Sequence, residues 1–228
     1  MTAPEPVVCT DVVRSYPLGS STVTALRGVD LRVAAGTVTA LVGPSGSGKS
    51  TLLRLLACVD RADSGSVRVD GVEVTALSRA GRLRLRRRRL GLMFQSPADN
   101  LLEYLTVRHH LELGARLRGL PGNHPQVGSL LTTLGLADRA EHLPRQLSGG
   151  EQQRLAIAFA ALGPPVLLLA DEPTGQLDHH TVGSVLDSFA VLAAAGVAVV
   201  AATHDRAVLE RADRVIRMRD GVVTAADA

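Results

Sequence analysis

The stretch that decides the fold is Gly43-Pro44-Ser45-Gly46-Ser47-Gly48-Lys49-Ser50-Thr51, which matches the pattern G-x-x-x-x-G-K-[ST]. It follows the apolar run Val38–Val42, typical of a strand buried on both faces, and precedes leucines with helical spacing. A loop in this position can turn its backbone N–H groups toward phosphate oxygens, and the following helix adds its positive end. The alternative is a flexible glycine and serine loop, but roughly one chain of this length in a hundred matches by chance. The stretch therefore predicts a phosphate-binding P-loop.

Two side chains of this loop carry specific expectations. Lys49 would reach the β- and γ-phosphates of a nucleotide, and the Ser50 hydroxyl would bind Mg²⁺. Of the 25 lysines and arginines in the chain, Lys49 is the only lysine. A compact ammonium on a flexible stem suits a phosphate site, which supports the P-loop interpretation.

A second motif is the apolar strand that ends in two acids, Leu167-Leu168-Leu169-Ala170-Asp171-Glu172. Its end would put Asp171 at the edge of the sheet where ligands of open α/β sheets bind, and Asp171 would hold Mg²⁺ through water. Glu172 is expected to point the other way at the strand end and to orient or deprotonate an attacking water. The motif is weak alone and becomes strong with a P-loop upstream.

A third motif, Leu147-Ser148-Gly149-Gly150-Glu151-Gln152, precedes a helix. A hydroxyl, free N–H groups and a helix N-terminus form an anion site. The alternative is ordinary helix capping by Ser148, with Glu151 completing a capping box, and both can hold together. The chain has only one P-loop, so a second anion site at a helix start needs an explanation. It is explained if this site in one copy of the chain contacts the nucleotide bound to another copy.

Composition and strand–helix alternation bound the fold. The chain has 228 residues, 46% hydrophobic and 2% aromatic, which fits one large α/β domain. Apolar strands that alternate with helices predict a mainly parallel sheet covered by helices. Helical spacing over 101–120 and 128–143 predicts a helical lobe inserted into that alternation. The single domain, 1–228, then has three parts. Residues 7–94 form a β subdomain and the P-loop core, residues 95–146 form the helical lobe, and residues 147–223 form the helix after the third motif and the rest of the core.

Other features exclude several classes of protein. No apolar run reaches the roughly 18 residues of a spanning helix, and the N-terminus lacks the basic and apolar segments of a secretory signal. Cys9 and Cys58 are too few and too far apart for a disulfide framework or a metal site. We therefore expect a protein that stays in the cytoplasm with both cysteines reduced.

With these motifs, residues 7–223 closely resemble the ABC ATPase family. The resemblance implies a P-loop NTPase core with a mainly parallel sheet, an N-terminal antiparallel β subdomain and an inserted α-helical lobe. It implies that residues 147–152 are the signature motif, whose Ser148, Gly149 and Gly150 close over ATP bound to the opposite subunit. It further implies an ATPase that uses ATP and Mg²⁺.

The same resemblance assigns four further residues. Gln95 corresponds to the glutamine that touches Mg²⁺ and reports to the membrane domain. Asp178, which ends Gly175-Gln176-Leu177-Asp178, lies in the loop where two subunits meet. His204 corresponds to the histidine that contacts the γ-phosphate, and Tyr16 to the aromatic that stacks on adenine. Without the resemblance, Tyr16 reads as a half-buried core residue and His204 as an ordinary histidine at a strand end.

Within the family, residues 23–31, 43–53 and 171–175 look like the lipoprotein-releasing, macrolide-efflux and cell-division ATPases. The implied partners are a separate integral membrane permease and a second copy of the chain, which places the protein at the cytoplasmic face of the membrane. The chain departs from the usual pattern at three residues: Glu103, Phe159 and Gln176. The cargo and the direction of transport stay open.

The basic run Arg82-Leu83-Arg84-Leu85-Arg86-Arg87-Arg88-Arg89 suggests nucleic-acid binding or a solvated helix face that leads into the strand before Gln95. We favour the solvated face and expect no nucleic-acid partner. A soluble ABC ATPase acting on nucleic acid or ribosomes is the alternative function, but such chains carry tandem cassettes or a long coiled coil. A P-loop kinase would have no use for residues 147–152.

Overall fold

The structure, a computed structural model, describes residues 4–163, 165–175, 177 and 179–227. Its strands are β1 Val7–Leu18, β2 Ser21–Val33, β3 Val38–Val42, β4 Ser64–Val69, β5 Val72–Glu73, β6 Leu90–Met93, β7 Leu167–Asp171, β8 Ala198–Ala202, β9 Arg214–Arg219 and β10 Val222–Asp227. Its α-helices are α1 Lys49–Leu56, α2 Arg79–Arg89, α3 Pro97–Asn100, α4 Val107–Leu117, α5 Pro125–Thr133, α6 Gly149–Ala161, α7 His179–Ala194 and α8 Arg206–Arg211. Two 3₁₀ turns lie between α5 and α6: Ala137–Arg139 and Pro144–Gln146.

Two sheets organise the molecule. The larger sheet has the order β10-β9-β3-β8-β7-β6, and all of its pairs are parallel except β9 with β10. The smaller sheet has the order β2-β1-β4-β5 and is antiparallel throughout. The mainly parallel core and the N-terminal antiparallel subdomain expected from the sequence are both confirmed.

The core lies on both faces of the larger sheet. Successive residues of β7 alternate between two clusters: Leu168 and Ala170 pack with the helical lobe, α6 and α7, whereas Leu167 and Leu169 pack with α1 and the antiparallel sheet. Central strands of this sheet are apolar at nearly every position because both faces are covered. This packing holds the carboxyl ends of β3, β8 and β7 side by side at one edge.

The helices of the inserted lobe are shorter than the sequence spacing predicted. Helix α4 begins only after Thr106, whose hydroxyl accepts a hydrogen bond from the His109 N–H. Helix α5 ends before Gly135, which has a left-handed backbone with φ of 65°. Leu136 and Ala140 are nevertheless buried, so turns preserve an apolar spacing that resembles a continuing helix.

No helix in the described part of the chain is long and apolar enough to cross a membrane.

Candidate functional site

A cavity of about 550 Å³ lies at the carboxyl ends of β3, β7 and β8. The polypeptide reaches it from three sides because the P-loop follows β3, two acids end β7, and the loop before α8 follows β8. The following residues line it: Ala25, Gly43, residues 45–51, Gln95, Asp171, Glu172 and His204. The structure thus brings together most of the residues that the sequence predicts to bind a nucleotide.

The P-loop wraps around the ammonium of Lys49. The Nζ atom donates hydrogen bonds to the Gly43 carbonyl at 2.7 Å and to the Pro44 carbonyl at 3.1 Å. Close packing explains two of the glycines: a Cβ on Gly43 would lie 2.2 Å from the Met218 carbonyl oxygen, and one on Gly48 would lie 2.6 Å from the Ala25 carbonyl oxygen. Either substitution would force the loop away from β9 or β2.

The loop also has an unpaired polar atom and, at Gly46, open space. The Ser47 Oγ atom is buried and has no hydrogen-bond partner among the described residues. Gly46 has a φ of 78°, and a Cβ there would meet no atom within 4 Å. The cradle therefore fits phosphate oxygens, with Lys49 free to exchange its carbonyl partners for them.

Asp171 and Ser50 place two side-chain oxygens next to each other, close to the charge of Lys49. Burial raises the pKa of Asp171, and the nearby Glu172 carboxylate raises it further. The hydrogen bond from Ser50 and the charge of Lys49 lower this pKa and favour the ionised carboxylate. A hydroxyl beside a carboxylate is a donor set that suits Mg²⁺.

Glu172 turns into the same cavity as Asp171 instead of pointing away from it. Strand alternation predicts opposite directions, but Glu172 has a left-handed backbone with φ of 46°, which ends the strand. Its Oε1 lies 2.9 Å from the Nδ1 of His204, and its Oε2 accepts a hydrogen bond from the Thr203 Oγ1 at 3.3 Å. The imidazole remains 79% exposed, so it can meet a ligand in the cavity.

A second contact joins the loops that carry Glu172 and His204. The buried Thr174 Oγ1 donates to the Asp205 Oδ2 at 2.6 Å, and the other oxygen of Asp205 accepts from the Ala207 N–H at the start of α8. Sequence reasoning missed Thr174 and Asp205 as partners because only the packing of β7 beside β8 brings them together.

Tyr16 does not line the P-loop cavity. It is half-buried, its hydroxyl donates to the Asp60 Oδ2 at 2.6 Å, and the Arg14 guanidinium lies 4.6 Å from its ring centroid. Stacking of Tyr16 on adenine stays a prediction.

Ser148 and Gly149 are exposed and do not line the cavity of their own chain. The capping box exists: the Ser148 hydroxyl accepts from the Glu151 N–H, and the Glu151 carboxylate accepts from the Ser148 N–H at 2.8 Å. Gly150 packs so closely on α7 that a Cβ would lie 2.0 Å from the Thr181 Cγ2. Asp178 and Gln176 lie outside the described residues.

Comparison with known proteins adds to this geometry. A family model described as ABC transporter matches residues 26–175. A macrolide export ATP-binding/permease protein MacB of Rhodopseudomonas palustris (strain HaA2) is 45% identical over 214 residues, which are 93% of this chain and 32% of that protein. The chain thus spans about a third of the length of the curated relatives it matches. Two solved structures are each 32% identical, with 97% of both chains covered and a TM-score of 0.81: dimeric MJ0796, a bacterial ABC transporter cassette, and its post-hydrolysis state bound to ADP and Pi.

Proposed function

The chain belongs to the ABC transporter family, and from that premise we propose that it is an ATP-hydrolysing subunit that dimerises around two ATP molecules and drives a membrane permease. The observation that carries the proposal is the single cavity in which Lys49, Asp171 and Glu172 meet around a loop shaped for phosphate. Each of these charged groups has a place in phosphoryl transfer to water.

Binding of ATP follows from the loop. Backbone N–H groups of residues 45–51 would hold the phosphates, and Lys49 would move from the carbonyls of Gly43 and Pro44 to the β- and γ-phosphates. Ser50 and Asp171, with Gln95 at the cavity wall, would hold Mg²⁺. When bound, Mg²⁺ supplies positive charge that neutralises the phosphate oxygens.

Hydrolysis uses Glu172 and His204. Glu172 accepts a proton from the water that attacks the γ-phosphorus, while the bond from that phosphorus to the ADP oxygen breaks and ADP leaves. The contact between His204 and Glu172 fixes the direction of the carboxylate. Lys49 stabilises the charge that spreads over the γ-phosphate oxygens.

A second copy of the chain would complete the site. Ser148 and Gly149 place a hydroxyl and the Gly149 N–H at the start of a 13-residue helix, yet they do not line the cavity of their own chain. A neighbour arranged as a dimer could present them to the γ-phosphate. The cassette MJ0796, 32% identical, was solved as a dimer.

The permease would dock on an arginine-rimmed groove of about 680 Å³ between α2, α4 and the end of α6. Its floor is apolar: Leu83, Leu92, Leu117 and Phe159. Its rim carries five arginines: Arg84, Arg86, Arg87, Arg116 and Arg118. None of these guanidiniums forms an ion pair in the part of the chain that the structure describes.

Three of these arginines, Arg86, Arg87 and Arg118, donate hydrogen bonds to backbone carbonyls. Arg118 donates to the Ala160 carbonyl at 2.7 Å, and Arg87 donates to the Leu117 carbonyl. Burial lowers the pKa of Arg118 to about 10, so this cation lacks both full hydration and an anionic partner. An amphipathic permease segment with acidic residues would cover the floor and pair with the rim. Docking of this kind would hold the chain at the cytoplasmic face of the membrane.

The experiment that tests the proposal measures phosphate release from Mg-ATP by the purified chain, alone and with its permease. Lys49→Ala should abolish hydrolysis because it removes the cation of the phosphate loop. Normal turnover by this variant would contradict the assignment of the P-loop.

A further inference from the structure

One glutamine lies between the exposed helix start and the acidic strand end. Gln153 is 1% exposed, and its Nε2 donates a hydrogen bond to the Pro173 carbonyl at 2.5 Å. Its Oε1 is buried and has no hydrogen-bond partner among the described residues. This side chain therefore makes one short contact and leaves its acceptor unused.

The contact joins two segments with different tasks in the proposed mechanism. Gln153 is in the second turn of α6, the helix that begins beside Ser148 and Gly149. Pro173 directly follows Glu172, whose carboxylate lines the P-loop cavity. In a dimer, the start of α6 would grip the ATP of the neighbouring chain, whereas Glu172 would act on the ATP of its own chain.

The rest of α6 is fixed firmly enough to transmit a displacement. Arg154 donates to the Leu134 carbonyl at 3.0 Å and to the Ser184 Oγ on α7 at 2.9 Å. Gly150 lies against Thr181 with no space for a Cβ. A ligand that displaces the start of α6 would move a packed unit, and the hydrogen bond from the Gln153 amide connects that unit directly to the Glu172 segment.

Stability alone does not explain a glutamine at this position. The buried acceptor without a partner destabilises the folded state, which offsets the stability that the hydrogen bond to the Pro173 carbonyl contributes. A residue that is poor for packing but bonded to the segment of the reacting carboxylate points to a role in the reaction.

We infer that Gln153 is a positioning residue that couples the two ATP sites of the dimer by linking the helix that grips one ATP to the carboxylate that acts on the other. The inference rests on the proposed dimeric ATPase. It predicts cooperative hydrolysis of ATP, with Gln153 as the intramolecular link.

Gln153→Met tests the inference because methionine has a similar size but cannot donate to the Pro173 carbonyl. We expect the Hill coefficient for ATP to fall towards 1 and kcat to fall roughly 10-fold or more, since a small misplacement of a reacting group can cost two orders of magnitude. The Tm should fall modestly, as for the control variant below, because the buried Pro173 carbonyl loses its donor. In a Glu172→Gln background, ATP should still produce a dimer, because Ser148 and Gly149, which would contact the ATP of the neighbouring chain, are unchanged.

Gln126 provides a matched control. Its amide also bonds to backbone, donating to the Ala161 carbonyl at 3.3 Å and accepting from the Gly163 N–H at 2.7 Å, but at the far end of α6. Gln126→Met should lower the Tm and leave the Hill coefficient and kcat near their wild-type values. Equal kinetics for the two variants would overturn the inference, as would a wild-type Hill coefficient of 1.

Gln153→Glu gives a second, independent readout. Burial raises the pKa of a carboxyl group, and its protonated form can donate to the Pro173 carbonyl whereas the carboxylate cannot. The activity of this variant relative to wild type should therefore rise as the pH is lowered, and a pH-independent ratio would contradict the link. A wild-type chain that neither hydrolyses ATP nor dimerises in its presence would contradict the proposed function. This result can be distinguished from failure of the inference, which would appear only in the two Gln153 variants.

Discussion

The Nδ1 atom of His204 lies 2.9 Å from the Oε1 atom of Glu172, and this contact links the ends of β8 and β7 at the P-loop cavity. The Thr203 hydroxyl approaches the other carboxylate oxygen at 3.3 Å, so both oxygens of Glu172 have partners on the same loop. In the proposed mechanism, a carboxylate held in this way would present a fixed direction to the water that attacks the γ-phosphate.

Removing the imidazole should slow the chemical step more than it weakens binding. His204→Ala is expected to lower kcat by roughly 10²-fold, since a small misplacement of a reacting group such as Glu172 can cost that factor, while KM for ATP changes little. Steady-state phosphate release over a range of ATP concentrations checks this. An unchanged kcat would leave the contact with Glu172 without a role in hydrolysis.

The hydrogen bond between Thr174 and Asp205 should contribute to stability. Thr174→Val keeps the side-chain shape and removes a buried donor to a carboxylate, so we expect a loss of about 1.5–3 kcal/mol in the free energy of unfolding. Urea unfolding measures it. Thr224→Val is the control, because that exposed hydroxyl forms only a 3.3 Å bond to the Arg217 carbonyl and its loss should change stability by less than about 0.5 kcal/mol. Similar losses for both variants would contradict the prediction.

Two substitutions at Tyr16 separate stacking from its bond to Asp60. If the ring stacks on adenine, Tyr16→Ala should raise KM for ATP by the equivalent of about 1–3 kcal/mol, whereas Tyr16→Phe should keep KM near wild type. Isothermal titration calorimetry with a non-hydrolysable ATP analogue checks this: Tyr16→Phe should bind as tightly as wild type, and Tyr16→Ala should bind more weakly. Equal binding by Tyr16→Ala and wild type would limit this residue to its contacts with Asp60 and Arg14.

Charge reversal in the arginine-rimmed groove should weaken the permease complex. Arg87→Glu is expected to reduce co-purification with the permease at low salt while basal ATPase activity is retained, because the groove lies outside the P-loop cavity. Arg219→Glu, on the exposed surface of β9, should have no such effect. DNA or RNA that binds tightly at physiological salt and stimulates hydrolysis would favour the alternative function on nucleic acid.

Much of the fold followed from local pattern. Val38–Val42 and Leu167–Asp171 are apolar except at Thr39 and Asp171 because both faces of their sheet are covered, so their places as central strands were predictable. The P-loop was predictable because its glycines and lysine meet demands of backbone geometry and charge within nine residues.

Other features depend on contacts between distant segments. The direction of Glu172 follows from a left-handed backbone at a non-glycine residue, which no sequence spacing signals. The link from Gln153 to Pro173 spans 20 residues, and the bond from Thr174 to Asp205 spans 31, so each exists only after the sheet and α6 have assembled. The ends of α4 and α5 were misplaced because apolar spacing continues through turns that tertiary packing holds.

The shared-site mechanism makes its sharpest prediction for Glu172→Gln. This variant keeps the size of the side chain but removes its capacity to accept a proton, so Mg-ATP should bind without being hydrolysed. Because the γ-phosphate would be held by Lys49 of one chain and Ser148 of the other, ATP should favour the closed pair and ADP should not. Ser148→Arg in the same background should prevent dimerisation, because the bulky arginine side chain would occupy the position of the γ-phosphate.

The most direct test is light scattering of Glu172→Gln with saturating Mg-ATP and with Mg-ADP. The account predicts a stable dimer with ATP and a monomer with ADP. A protein that stays monomeric with saturating Mg-ATP, both alone and with its permease, would contradict it.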